Sequence, residues 1–294
     1  MHEPRYNTDG PWLKGQTHVH STCSDGTLTY RELAERYASA GYDFIFATDH
    51  NVPATIESEP DLPLLALNGI EVNNGDYMYG CFHVVGLGVH PDIRPDPSTP
   101  LPEAIRLLKS AGVFTILAHP AWLNNSGEDV LRYGFDGVEV FNNLCYWDNG
   151  KGDSSVLWDR MLVGNHNVLG FASDDAHLTK GSPSWNGGWI MVNAQECSRE
   201  AIIAAIRRGH FYSSCGPEIH SIRTTEKSVR VHTSPVRTVR LVGSTCQGRS
   251  VMAEDEGGLT EVEIETPPTI DYWRLEVEDF QRRRAWTNTL LPHD

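Results

Sequence analysis

Four stretches of this chain share one design. DFIFATDH (43–50), LLALNGIEV (64–72), VFTILAHP (113–120) and VLGFASDDAH (168–177) are short, nearly continuous apolar runs that stop at an imidazole or a carboxylate. A strand apolar on both pleat faces must be covered on both. Such runs therefore belong in a parallel or mixed sheet flanked by helices, not in a half-wetted antiparallel one.

The intervening segments read as those helices. Thr29 is placed to cap YRELAERYASAG, with Glu32 at its third position and Gly41 as its stop. LPEAIRLLKSAG, GEDVLRYG, SSVLWDRMLVGN and REAIIAAIRRGH follow the same logic, and CFHVVGLGV supplies a further strand. After Gly216-Pro217 the pattern changes to short alternating runs (IHSIRTT, SVRVHTS, VRTVRLVGS, TEVEIETP, YWRLEVEDF) separated by turn residues. We expect an α/β domain over 1–216 and a small all-β, sandwich-like accessory domain over 217–294.

Charge narrows the partners. The chain of 294 residues carries a net charge of −15, and 14 basic residues against 27 acidic ones precede position 221. That balance disfavours long nucleic acid and anionic membrane, because too few cations are present to displace condensed counterions. Bound cations would offset it. The six cysteines stand singly without CxxC spacing and read as reduced thiols. With neither a signal-peptide core nor an 18-residue apolar run, the expected location is cytoplasmic.

The polar residues at the strand ends are the donors of a metal site. HVHSTCSDG (18–26) places His18 and His20 on one side of an extended segment, with Val19 on the other. Alternation likewise pairs Asp175 with His177, leaving Asp174 to face away or to take a supporting role. His18, His20, Asp25, His50, Glu71, His83, His119, Asp175 and His177 are six imidazoles and three carboxylates. This mixed set suits zinc, manganese or iron, whereas calcium and magnesium sites are built of oxygen. Nine donors exceed one tetrahedral site, and three divalent ions bridged by Glu71 would use them all. His83 is the odd member, lying near the start of its strand.

HVHSTCSDG, ATDH, GIEV, the embedded His83, AHP and SDDAH together resemble the successive motifs of the polymerase and histidinol phosphatase (PHP) superfamily of metal-dependent phosphoesterases, over residues 12 to 216. The resemblance implies a distorted (β/α)7 barrel with a trinuclear metal centre in its cleft. It implies that His18, His20, Glu71 and Asp175 surround one ion, Glu71, His83 and His119 the second, and Asp25, His50 and His177 the third. The β-rich tail ending RRRAWTNTLL resembles that of the CehA/McbA-like metallohydrolases.

Three divalent ions, three ligand carboxylates and a bridging hydroxide leave a positive site that a phosphomonoester dianion nearly neutralises. We therefore expect a hydrolase acting on phosphoric ester bonds of a small phosphorylated molecule or short nucleotide. Its nucleophile would be metal-bound hydroxide held by Glu71 and its neighbours, since no GxSxG elbow or serine triad is present. Lys180, Lys151 and Asn142 are candidate substrate contacts, and Trp122, Trp147, Trp185 and Trp189 candidate pocket walls. Phosphodiester or short-oligonucleotide hydrolysis, carbamate or amide hydrolysis, and a metal-stabilised binding module stay open as alternatives. So does homo-oligomerisation through the β domain.

Overall fold

The computed structural model describes residues 4–6, 10–74, 81–165, 167–267 and 271–291. Its first half alternates strands and helices: β1 (Trp12–Gln16), α1 (Tyr30–Ser39), β2 (Phe44–Ala47), β3 (Leu65–Asn74), β4 (Phe82–Leu87), α2 (Leu101–Ser110) and β5 (Phe114–Leu117). There follow α3 (Pro120–Leu123), α4 (Gly127–Tyr133), β6 (Gly137–Asn142), α5 (Asn143–Asn149), α6 (Ser155–Gly164), β7 (Leu169–Ser173), β8 (Trp189–Asn193), α7 (Arg199–Arg208) and β9 (Phe211–Ser214). The rest is strand: β10 (Ile219–Thr224), β11 (Ser228–Val236), β12 (Thr238–Gly243), β13 (Gly248–Met252), β14 (Leu259–Glu265), β15 (Trp273–Glu278) and β16 (Arg284–Thr287).

These strands form a mixed α/β architecture. β1, β2 and β3 pair in parallel, as do β5, β6 and β7, and β4 runs antiparallel between the two groups. Val19, just past β1, forms a parallel bridge with Ala176, just past β7, so the first and last of these seven strands are joined at their carboxyl ends. Helix α1 forms as its sequence dictates. Thr29 accepts from the Glu32 amide, Glu32 reaches back to the Thr29 amide at 2.8 Å, and Gly41 leaves the helix at φ +77°. Its inner face buries Leu33, Ala34 and Tyr37 against Ile45 and Ala47 of β2.

The antiparallel β4 explains His83. Because β4 is reversed, its beginning lies beside the carboxyl end of β3, with Asn73 opposite His83. The chain leaving β5 closes on the same point, where the Ala118 amide donates to the His83 carbonyl at 2.9 Å. A residue at the start of an antiparallel strand therefore reaches the same mouth as residues at the ends of its neighbours.

The carboxyl-terminal strands divide between two sheets. β10, β11 and β14 form a three-stranded sheet, while β13, β12, β15 and β16 extend the large sheet by pairing β16 with β9. Ile222, Val231 and Ile264 of the small sheet pack with Val239, Leu241, Leu275 and Val277 of the large one. Sequence periodicity identified most of these strands but could not tell which sheet each joins. Trp286 explains the attachment: it is buried and stacks on Phe141 of β6 with ring centroids 6.1 Å apart. Asn288 then accepts from the Gly170 amide at 2.9 Å and donates to the Phe211 carbonyl at 3.0 Å, tying the tail to β7 and β9. On the other flank, Arg274 is buried over Trp158 and grips both oxygens of Asp159 on α6 at 2.8 Å. Among the described residues no helix is long and apolar enough to cross a membrane.

Candidate metal centre

The nine donors named from the sequence come together at the joined strand ends, and Glu71 is their hub. One of its oxygens lies 2.9 Å from His50 Nδ1, 3.3 Å from His18 Nε2 and 3.4 Å from His20 Nε2. The other lies 2.9 Å from His83 Nδ1 and 3.3 Å from His119 Nε2. Asp175 adds an oxygen 3.1 Å from His20 Nε2 and 3.3 Å from His18 Nε2. Asp25 places one oxygen 3.2 Å from His177 Nε2 and 3.6 Å from His50 Nε2. Three tight clusters result: His18, His20 and Asp175; His50, Glu71 and His83; and His20, Asp25, His50 and His177.

Local backbone geometry delivers each group. His18 and His20 flank the buried Val19 as pleat alternation requires, and their Nε2 atoms stand 3.2 Å apart. Alternation does not govern Asp175 or His119, which lie beyond their strands at φ +52° and +29°. Non-glycine residues held in this region are uncommon and concentrate at functional sites. Here the amide of Asp175 is fixed by the His18 carbonyl at 3.0 Å, and that of His119 by a Glu139 carboxylate oxygen at 2.8 Å. The loop bearing Asp25 turns back sharply. The Gly26 amide bonds to the Ser21 carbonyl at 2.9 Å, and a Cβ at Gly26 would sit 2.1 Å from the His20 carbonyl oxygen.

Asp49 and Asp174, the two other acids at these strand ends, hold loops. Asp49 accepts from the Ser21 amide at 2.8 Å and from the hydroxyls of Ser21 and Ser24 at 2.7 and 2.8 Å. Asp174 accepts from the amides of Asn186, Gly187 and Gly188 at 2.7–3.0 Å, which fastens the glycine-rich 186–188 segment.

Glu139 is the supporting residue that the sequence underrated. Buried in β6, it accepts from His18 Nδ1 at 2.8 Å, the Ser173 hydroxyl at 2.5 Å and Asn142 Nδ2 at 2.8 Å. A regular strand would turn residues 139 and 142 to opposite faces, but the register shifts between Glu139 and Phe141. That irregularity brings both to one carboxylate cluster. The signal was an acid in the strand VEVFNN, whose partner histidine lies 121 positions away.

Electrostatics match a cation-binding role. Burial opposes ionisation of Glu71, yet the facing His18 and His83 hold its carboxyl well below the usual range. Burial also disfavours a charged His18, but Asp175, Glu71 and Glu139 together raise its pKa well above the ordinary imidazole value. Positive charge is thus favoured at His18, whereas burial lowers the pKa of neighbouring His20. Even so, His20 Nδ1, which faces Asp25, and the Glu71 oxygen facing three rings are buried without a well-directed hydrogen bond among the described residues. Buried polar atoms are ordinarily paired, and lone pairs that converge without bonding fit a set of divalent ions.

A cavity of about 430 Å³ opens over this cluster. Seven of the nine donors line it, together with Asn73, Trp122, Leu144, Cys145 and Asp148, while His18 and His20 lie fully buried. Neither Lys151 nor Lys180 lines it; both sit in exposed segments. Asn142 is buried, capping α5 by accepting from the Cys145 amide and donating to Glu139 and to Asp175 at 3.2 Å. Of the tryptophans, Trp122 faces the cavity; Arg36 covers Trp185 and Lys14 covers Trp189.

Comparison with known proteins gives partial matches in sequence and one along the whole fold. Over 84 residues the chain is 32% identical to the DNA polymerase/3'-5' exonuclease PolX of Bacillus subtilis, a match covering 29% of this chain and 15% of that protein. Over 77 residues it is 35% identical to the phosphoribosyl 1,2-cyclic phosphate 1,2-diphosphodiesterase of Eggerthella lenta, covering 24% of this chain and 29% of that one. The chain thus spans less than a third of either relative's length. A crystal structure from Bacteroides vulgatus, described as a two-domain protein containing a predicted PHP-like metal-dependent phosphoesterase, superposes with a TM-score of 0.56 at 16% identity, covering 97% of this chain and 98% of that one.

Over these segments the chain is similar to PHP-like proteins. No protein-family model matches it. The Bacteroides protein shares the fold of this chain along nearly its whole length.

Proposed function

We propose that this chain is a PHP-superfamily protein and a metal-dependent hydrolase of small phosphoric esters. The observation that carries the reading is Glu71, whose two oxygens face five imidazoles across distances of 2.9–3.4 Å in a buried cluster. His18, His20, Glu71 and Asp175 would hold one ion, Glu71, His83 and His119 a second, and Asp25, His50 and His177 a third. The donor set suits zinc, manganese or iron. When bound, such ions supply a deprotonated water and positive charge for the phosphoryl oxygens. The chain's own residues do the positioning. Glu139 keeps the His18 proton on Nδ1 so that Nε2 faces the cluster, Asn142 orients Asp175, and Asp49 sets the loop that carries Asp25.

The cavity supports a small substrate. Among the described residues no lysine or arginine lines it, so the charge of a phosphate would be met by the ions. We infer further that β1–β7 close as the distorted (β/α)7 barrel, supported by the Val19–Ala176 bridge, and that residues 1–216 and 217–294 are hydrolase and accessory domains. The test is a substrate panel with metal-loaded protein: small phosphomonoesters, a cyclic or linear diester, and p-nitrophenyl carbamate. Turnover of phosphate esters that disappears with chelator supports the proposal; turnover of the carbamate alone refutes it.

A further inference from the structure

The phosphoryl group of any substrate must sit over Glu71, among the imidazoles of the cavity floor. The rest of the ester then extends toward the facing wall. That wall is made by Trp122 and by helix α5, which turns Leu144, Cys145 and Asp148 into the cavity. Asp148 belongs to none of the three donor clusters. Among the described residues its carboxylate has neither an ion pair nor a hydrogen bond. Trp147, one position earlier on α5, does not line the cavity. An unpaired carboxylate sharing a cavity with the Trp122 indole, and with no lysine or arginine lining it among the described residues, is the chemistry that accepts an ammonium group through charge and a ring face.

We propose that Asp148, with Trp122, forms a leaving-group subsite that selects phosphate esters whose alcohol carries a cationic nitrogen and disfavours those bearing a second anion. The proposal rests on the phosphoesterase reading and names its substrate class. A single solvent-exposed charge pair and a ring contact, each worth about 0.5–1 kcal/mol, predict a preference of roughly tenfold for a cation over a neutral isostere.

The test uses isosteric probes on metal-loaded protein. Phosphocholine is compared with 3,3-dimethylbutyl phosphate, which differs only by carbon for nitrogen, and with an anionic phosphoglycolate. Binding of the two alcohols, choline and 3,3-dimethylbutanol, is followed separately by quenching of tryptophan fluorescence. The expected results are a kcat/KM ratio near ten in favour of phosphocholine, the lowest value for phosphoglycolate, and choline as the tighter alcohol. Asp148→Asn should bring both ratios close to one, and Asp148→Glu should restore most of them. A flat or inverted ranking overturns the inference while leaving the phosphoesterase reading intact, as does a preference that survives Asp148→Asn. Absence of all phosphate-ester turnover removes the hydrolase reading and this inference with it.

Discussion

Replacing Glu139 with glutamine tests how far the centre depends on a residue that makes no contact with the ions it is proposed to hold. Glu139 accepts four hydrogen bonds: from His18 Nδ1 and the Ser173 hydroxyl on one oxygen, and from the His119 amide and Asn142 Nδ2 on the other. A glutamine keeps one acceptor and presents an NH2 group where the second stood, so two donors face a donor. If the NH2 takes the His18 side, the imidazole relieves the conflict by moving its proton to Nε2. That atom is the one 3.3 Å from both Glu71 and Asp175. A protonated Nε2 cannot bind a cation. Loss of an outer-shell partner of this kind weakens metal affinity about 10- to 100-fold, equivalent to about 1.4–2.7 kcal/mol. In metal-free protein the unsatisfied donors should cost about 2–4 kcal/mol of unfolding free energy. Competition for zinc against a chromophoric chelator gives the first number, and urea denaturation the second. Affinity of every ion within twofold of wild type would refute the role assigned to Glu139.

Further outcomes follow from named contacts. The His83 imidazolium is disfavoured by burial but raised to about 10 by the Glu71 carboxylate, with Cys81 contributing. Below that pH a metal must displace a proton, so affinity should rise from pH 6 to 9 with net proton release in calorimetry; a flat profile contradicts this. The sign reverses for metal-free stability, where the His83–Glu71 pair contributes fully below about pH 6.5 and is lost as pH passes 10. Arg274→Ala removes the buried guanidinium that holds Asp159, while Glu276 keeps Arg240, and should cost about 3 kcal/mol in urea denaturation; under 1 kcal/mol would refute a structural role. Thr29→Ala removes the capping box of α1 and should cost about 1 kcal/mol; an unchanged unfolding midpoint would contradict that role.

Much of this was legible in the sequence because burial and local chemistry write it there. Apolar runs named the strands of the first half, Thr29 and Glu32 fixed the start of α1, and the residues closing those runs were the donors that converge. What was hidden depends on contacts between distant segments. His83 looked misplaced because strand direction is set by pairing, which alternation within one strand does not encode. Glu139 was hidden because a register shift and a histidine far along the chain give it its role. The partition of β10–β16 between two sheets rests on Trp286 and Asn288 reaching β6, β7 and β9, a choice invisible to periodicity. Lys151 and Lys180 follow the pattern from the other side, since proximity in sequence to the donors did not bring them to the cavity.

Metal content per chain tests the central claim most directly, measured by mass spectrometry after loading with zinc, manganese or iron and dialysis, for the wild type and for His50→Ala. The account predicts three ions in the wild type, and in the variant the loss of at least the ion shared with Asp25 and His177, together with phosphate-ester turnover. A wild type that holds one ion or none, or a variant that keeps three ions and full activity, would contradict it.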